Sequence, residues 1–276
     1  DPNYKFSGNS LNYFIKNTSN EKADAGYENN VYTAGIGVGF EQYKKIFLSP
    51  QIAYSYDDLK VEDTASKSLQ KQKGSFSDLS FSYGVSYDNR DRVFAPTSGY
   101  RSEFFQSFPI VADSAYIKND YTLSSYKSFS KDIIGSFKFN TAAANGLNDD
   151  DIRLNQRLQM PMSRLRGFKA GGVGPVDGLD YVGGNYLFST NFEMSLPNLL
   201  PESTKTDVGT FIDFGNLWGV DYDKSLDDSN KIRSSFGSTV SWTSPMGPMT
   251  FIFSQNISKA STDVTEAFNF RLGTTF

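Results

Sequence analysis

Two residue types are missing from this 276-residue chain altogether, cysteine and histidine. Without Cys there are no disulfides, no zinc-thiolate sites and no thiol nucleophile, and the redox compartment leaves no mark on the sequence. Without His, Ser-His hydrolases and His-based metal centres are disfavoured, because imidazole is the usual general base and the commonest metal ligand. Basic excess is lacking too. The 27 Lys and Arg are outnumbered by 31 Asp and Glu, for a net charge of −4. The basic residues are scattered, which argues against nucleic acid as a partner. No apolar run approaches the ~20 residues that a membrane helix needs, and the mean hydropathy of −0.44 is what a water-soluble protein ordinarily shows. The chain opens on Asp1, with neither an initiator Met nor a signal peptide, as expected of a mature protein or a cut piece.

Low hydropathy does not exclude a membrane if the crossing is made by strands. In a membrane barrel only every second residue meets lipid, so a span that is half polar still presents a continuous apolar wall. Period-two alternation is the dominant pattern here, and aromatic residues make up 15% of the chain. Leu79, Phe81, Tyr83, Val85 and Tyr87 share one face against Ser80, Ser82, Gly84, Ser86 and Asp88. Tyr32, Ala34, Ile36, Val38 and Phe40 likewise oppose Thr33, Gly35, Gly37 and Gly39. A soluble β-sandwich also alternates, but it does not need strands of about ten residues, the length of a tilted bilayer crossing, nor a reverse face of Gly and Ser.

The alternation predicts about twelve antiparallel strands of an up-and-down transmembrane β-barrel, all-β in class, over 1–276. They fall near 11–17, 31–40, 46–56, 77–89, 100–110, 116–129, 133–144, 183–196, 207–218, 231–243, 248–258 and 266–276. Connections tend to alternate between long and short, as in outer-membrane barrels with short periplasmic turns and longer outer loops. The longest spans 145–182. In the last strand Phe268, Phe270, Leu272, Thr274 and Phe276 share a face against Asn269, Arg271, Gly273 and Thr275, and the chain stops on an aromatic residue.

A set of short motifs lies in and after the long connection. In order they are Arg166-Gly167-Phe168, the Gly172-Val173-Gly174-Pro175 run, Gly183-Gly184-Asn185, Glu193 ahead of Pro197, Phe211-Ile212-Asp213-Phe214-Gly215, Ser244-Pro245-Met246-Gly247-Pro248 and the terminal Phe276. Through them the whole chain resembles the barrel of the BamA family of outer-membrane protein assembly factors, within the bacterial surface antigen superfamily, especially in its alphaproteobacterial form. The related two-partner secretion transporters are similar at a greater distance. One departure is Gln159-Met160-Pro161-Met162, where the family usually has a Gly-Gly pair before the Arg. The other is length: the family's barrel has sixteen strands, and Asp1-Pro2-Asn3-Tyr4 resembles the entry to the fifth. The first four strands and the periplasmic domains are then expected to be missing, and the chain is either a piece or a smaller closed barrel.

The resemblance implies that the loop tip Arg166, Gly167 and Phe168 folds back into the lumen, with Arg166 paired to inward acids on the two following strands. Glu193 and Asp213 both fall on the small, polar face of their strands, where a carboxylate escapes the lipid. Read from residues alone, Arg166 is rather a solvated loop cation and the two acids part of a hydrophilic wall. Phe268, Phe270, Leu272 and Phe276 resemble the C-terminal assembly signal and seam strand of such barrels, or are a closing strand with an interfacial aromatic. The charged stretch Tyr87-Asp88-Asn89-Arg90-Asp91-Arg92 before Pro96-Thr97-Ser98-Gly99 reads as a periplasmic turn. By resemblance the function is an outer-membrane insertase without cofactor, metal or catalytic residue. Its partners are then outer-membrane lipid, nascent β-barrel clients and accessory lipoproteins. A secretion or passive diffusion pore is the alternative from the transport class. An outer-membrane hydrolase is disfavoured by the missing His.

Overall fold

The computed structural model describes residues 8–22, 27–63, 65, 70–178, 180–226, 231–244 and 247–273. Phe276, Pro245 and Met246 lie outside the described residues, as does the entry Asp1 to Tyr4. A single sheet of twelve strands makes the wall. Its first seven are β1 (Ser10–Lys22), β2 (Tyr27–Tyr43), β3 (Ile46–Val61), β4 (Gly74–Asp88), β5 (Ser98–Ala112), β6 (Tyr116–Ser130) and β7 (Ile133–Gly146). After the long connection, which carries a small hairpin of β8 (Val176–Asp177) and β9 (Asp180–Tyr181), the wall resumes. It continues with β10 (Tyr186–Leu196), β11 (Thr206–Trp218), β12 (Arg233–Ser244), β13 (Gly247–Ser258) and β14 (Phe268–Leu272). Each strand pairs antiparallel with the next, and β7 pairs directly with β10. This is the expected up-and-down barrel wall, with β1 and β14 at the two ends of the order.

Alternation sets which face is which. In β10 Phe192 is 46% exposed on the outside, while its neighbour Asn191 is buried on the inside. The outer wall is tied by cross-strand aromatic pairs, with ring centroids 5.4 Å apart for Phe81 and Phe108 and 5.2 Å for Phe137 and Phe192. Such pairs add about 0.5–1.5 kcal/mol beyond their buried area. Phe268 and Phe270 are half exposed on the same outer face.

Several strands run longer than the alternation predicted. β2 has 17 residues, well beyond the ~9–11 of a crossing, and β1 and β3 extend into the stretches expected to be loops at 18–30 and 57–76. Beyond the bilayer both faces are wet, so the ladder continues through residues such as Asn17, Thr18 and Asn30 with no apolar alternation to betray it. In contrast β10 begins at Tyr186 rather than 183, and β14 begins at Phe268 rather than 266. Ahead of them, Gly184 and the segment 264–266 pair with the lumen loop, while Asn185 and Ala267 still bond the neighbouring wall segments.

The charged β4–β5 turn is organised by its own side chains. Asp88 takes Arg90 in a fork, 2.9 Å from Nε and 2.7 Å from Nη2. The Asp91 carboxylate accepts the Thr97 hydroxyl at 2.7 Å and the Thr97 and Ser98 N–H groups at 2.9 and 3.1 Å. The Thr97 hydroxyl, then the Ser98 amide, hold the Asp91 carboxyl down to about 2 from 3.8. The folded value lies below the unfolded one, so this contribution is complete above about pH 4 and is lost as pH falls through about 2. A carboxyl carbon-13 titration should give a midpoint near 2 for Asp91, and Thr97→Val should raise it. An unmoved midpoint in that variant refutes the assignment.

Candidate functional site: the loop seated in the lumen

The connection from 147 to 185 turns back across the inner face of the sheet. Apolar residues supply the drive. Ile152, Leu158, Met160, Leu165, Phe168 and Val173 of the loop pack against Ala142, Ala144, Leu187 and Leu217 of the wall in one buried cluster. Burying a side chain such as Phe168 fully is worth about 1.5–3 kcal/mol. Where the loop passes β10 it adds backbone pairing: Leu158 and Gly184 exchange hydrogen bonds of 2.8 and 3.0 Å. That exchange takes Gly184 out of the ladder, while Asn185 still accepts from Ala144 and donates to Gly219.

At the tip, Arg166 is 7% exposed and Asp213 0%. The guanidinium meets Asp213 as a fork, Nε to Oδ2 at 2.8 Å and Nη2 to Oδ1 at 2.7 Å, and the Arg166 N–H donates to the same carboxylate at 3.0 Å. Its remaining nitrogen, Nη1, reaches Glu193 Oε2 at 2.6 Å. The register explains the arrangement. Phe211 and Asp213 are two apart on the inward face of β11, and Glu193 of β10 stands directly opposite Phe211. The cation therefore lies over the Phe211 ring, 3.6 Å from its centroid, with a carboxylate on each side. Fork geometry and the ring both favour Arg over Lys here.

Gly167 follows with φ +90°, and a Cβ there would come within 3.2 and 3.3 Å of the Ser235 and Ser254 side chains. The backbone conformation favours glycine, and the space is tight for a Cβ. The Gly167 carbonyl accepts Asn256 Nδ2 at 3.0 Å and the Glu266 N–H at 3.0 Å, and the Ser235 hydroxyl donates to the Arg166 carbonyl. Phe168 pairs with Thr265 in antiparallel register, the Lys169 N–H donates to the Val264 carbonyl at 2.9 Å, and the Val264 N–H to the Gly172 carbonyl at 2.9 Å. Residues 264–266 thus pair with the loop tip, and β14 starts only at Phe268.

The structure therefore brings Arg166, Gly167, Phe168, Glu193 and Asp213 together, and places Phe268, Phe270 and Leu272 on the outer face next to the segment that the tip holds. Three further arginines were missed by motif reading. Arg153 pairs with Asp57 at 2.8 Å, Arg157 with Asp221, and Arg233 with Asp263 at 2.9 Å. Arg157 also donates to Asn185 Oδ1 at 2.8 Å, which gives the Gly-Gly-Asn motif its partner. Asp57 continues the inward parity of Ala53 and Ser55, a usable signal that was hidden because the strand was expected to stop at 56.

Residues 1–276 match the model of the Omp85 superfamily domain. The outer membrane protein assembly factor BamA of Neorickettsia risticii is 27% identical over 240 residues, 85% of this chain and 32% of that protein. BamA of Neisseria meningitidis serogroup B is 28% identical over 142 residues, 42% of this chain and 18% of that protein. The chain thus spans about a third or less of these relatives. Among solved structures, BamA from Haemophilus ducreyi lacking POTRA domains 1-3 superposes with a TM-score of 0.86 at 22% identity, over 98% of this chain and 59% of that one, a likeness of fold.

Arg166→Ala leaves the Asp213 carboxylate buried without its cation, which typically costs about 3–5 kcal/mol. Limited proteolysis in detergent should then cut between 147 and 185 much faster than in the wild type. Arg166→Lys should be intermediate, since it restores charge without the fork. Cleavage rates equal to wild type in Arg166→Ala would show that the ion pair does not seat the loop.

Proposed function

The chain belongs to the Omp85 superfamily, a BamA-type barrel of the bacterial outer membrane, and from that premise we propose that it serves protein assembly, helping β-barrel clients fold and insert. The observation that carries this reading is the junction between loop and last strand. β14 pairs with β13 over Phe268 to Leu272, extended by one backbone hydrogen bond at Ala267 and one at Gly273, while 264–266 are hydrogen-bonded to the loop tip. The upper part of β13 is thereby left without β14 as its neighbour, and β14 has a second edge with no strand partner among the described residues. Unpaired strand edges present a row of N–H and C=O groups, and an incoming strand satisfies them by β-augmentation.

On this reading the chemistry is backbone templating, and no covalent step or cofactor is assigned. The lumen loop sets how far β14 zips onto β13. Nascent barrel proteins are the clients, and accessory lipoproteins of the kind implied by the family resemblance are further partners. The pore reading is served less well by a lumen in which the loop buries Leu165 and Phe168 against the wall.

Reconstituted into liposomes, the intact protein carrying this chain should speed folding of a urea-unfolded outer-membrane protein several-fold over empty liposomes. Arg166→Ala should lose most of that gain. Large, steady single-channel openings without any folding gain would favour the pore instead.

A further inference from the structure

The outer wall is not evenly filled. Near the short-turn end of β6, β7, β10 and β11 a groove of about 490 Å³ opens on it, within the ~300–1,000 Å³ range of small-molecule sites. Its floor is Gly135, which offers no side chain. The Phe129 ring leans over that glycine, so that a Cβ at 135 would come within 2.6 Å of it. The Phe137 and Phe192 pair forms a wall, with the exposed Met194 beside it. Parity fixes which side this is. Phe192 stands opposite Phe137 in register and points out, while the next residue, Glu193, points in to Arg166. The groove therefore faces hydrocarbon, and what fills it is an acyl chain.

One cation lines the groove. Lys127 lies opposite Gly135 in register, on the outward parity of β6 and three residues before that strand ends at Ser130. It is exposed, with Nζ 5.6 Å from the Phe129 ring centroid, and forms no ion pair among the described residues. The carboxylate of the adjacent turn, Asp132, is taken up by Asn198 at 2.7 Å. A lysine on a lipid-facing wall is costly unless its stem snorkels to the interface and its head meets an anion there. An apolar slot with a free ammonium at its interfacial end is complementary to a lipid that carries both parts.

We propose that this groove binds one acyl chain of an anionic phospholipid of the leaflet on the short-turn side, with its phosphate head group against Lys127. The site needs only the barrel in a membrane and is independent of assembly activity, so failure of either reading leaves the other standing. Native mass spectrometry of the full chain in detergent, given equal phosphatidylglycerol and phosphatidylcholine, tests it. One interfacial lysine should favour the anionic lipid about fivefold. Lys127→Gln should abolish that preference while lipid adducts persist. Thr210→Trp, which places a bulky ring in the groove from β11, should reduce adducts of both lipids. Equal protease resistance of the lumen loop in all three proteins certifies the fold. The proposal fails if the wild type shows no preference, if Lys127→Gln keeps it, or if Thr210→Trp binds as the wild type does.

Discussion

One buried cation governs how this molecule is put together. The Arg166 guanidinium cannot leave water without compensation, since the desolvation cost is several kcal/mol per ion. Asp213 and Glu193, flanking the Phe211 ring, supply that compensation. Those three side chains come from adjacent strands in fixed register, so the position of the loop tip is as well defined as the ladder between β10 and β11. A β-sheet lends itself to such a receptor, because residues two apart on one strand and opposite on the next converge on one side without any special backbone. The apolar cluster around Leu165 and Phe168 makes seating favourable, and the ion pair decides where the loop seats.

The same device recurs around the loop. Arg153, Arg157 and Arg233 each bury a guanidinium against an aspartate that is far away in sequence, Asp57, Asp221 and Asp263 respectively. Replacing buried ion pairs with apolar residues is often neutral or stabilising, so their number is no measure of stability. What they supply is exclusivity, because each guanidinium displaced by one register step would face a wall without its acid. The loop is pinned on β3 at its outer end by Arg153, on the β11–β12 connection by Arg157, and on β10 and β11 by Arg166.

Much of the wall was legible because lipid and lumen impose opposite demands on alternate residues. Phe192 beside Glu193 is enough to fix the orientation of β10, and Phe81 beside Ser82 does so for β4. Legibility fails where that contrast fades. Past the bilayer, β1 to β3 continue through polar residues on both faces, so their ends were invisible. The Arg153–Asp57 and Arg233–Asp263 pairs were invisible for another reason: alternation reports which face a residue occupies, but not which distant residue arrives above it. Glu266 reads as the start of the last strand and is paired as one, yet its backbone partner is the loop tip and not β13. Backbone hydrogen bonding has no sequence signature that distinguishes two acceptable partners.

That last exchange of partners ties the loop to the end of the sheet. Three backbone hydrogen bonds join Val264 and Glu266 to the tip, and at Ala267, which accepts the Ser254 N–H, the ladder with β13 begins. Asp263, just before them, is held by Arg233 in a fork with no exposure on either side chain. The segment is thus fastened at one point to β12 and over three residues to the loop, and the loop is itself fastened through Arg166 to β10 and β11. Any event that withdraws the tip frees those backbone groups of Val264 and Glu266 to pair elsewhere. The position of the loop and that of the chain entering the last strand are therefore coupled, with the Arg166 ion pair as their shared anchor.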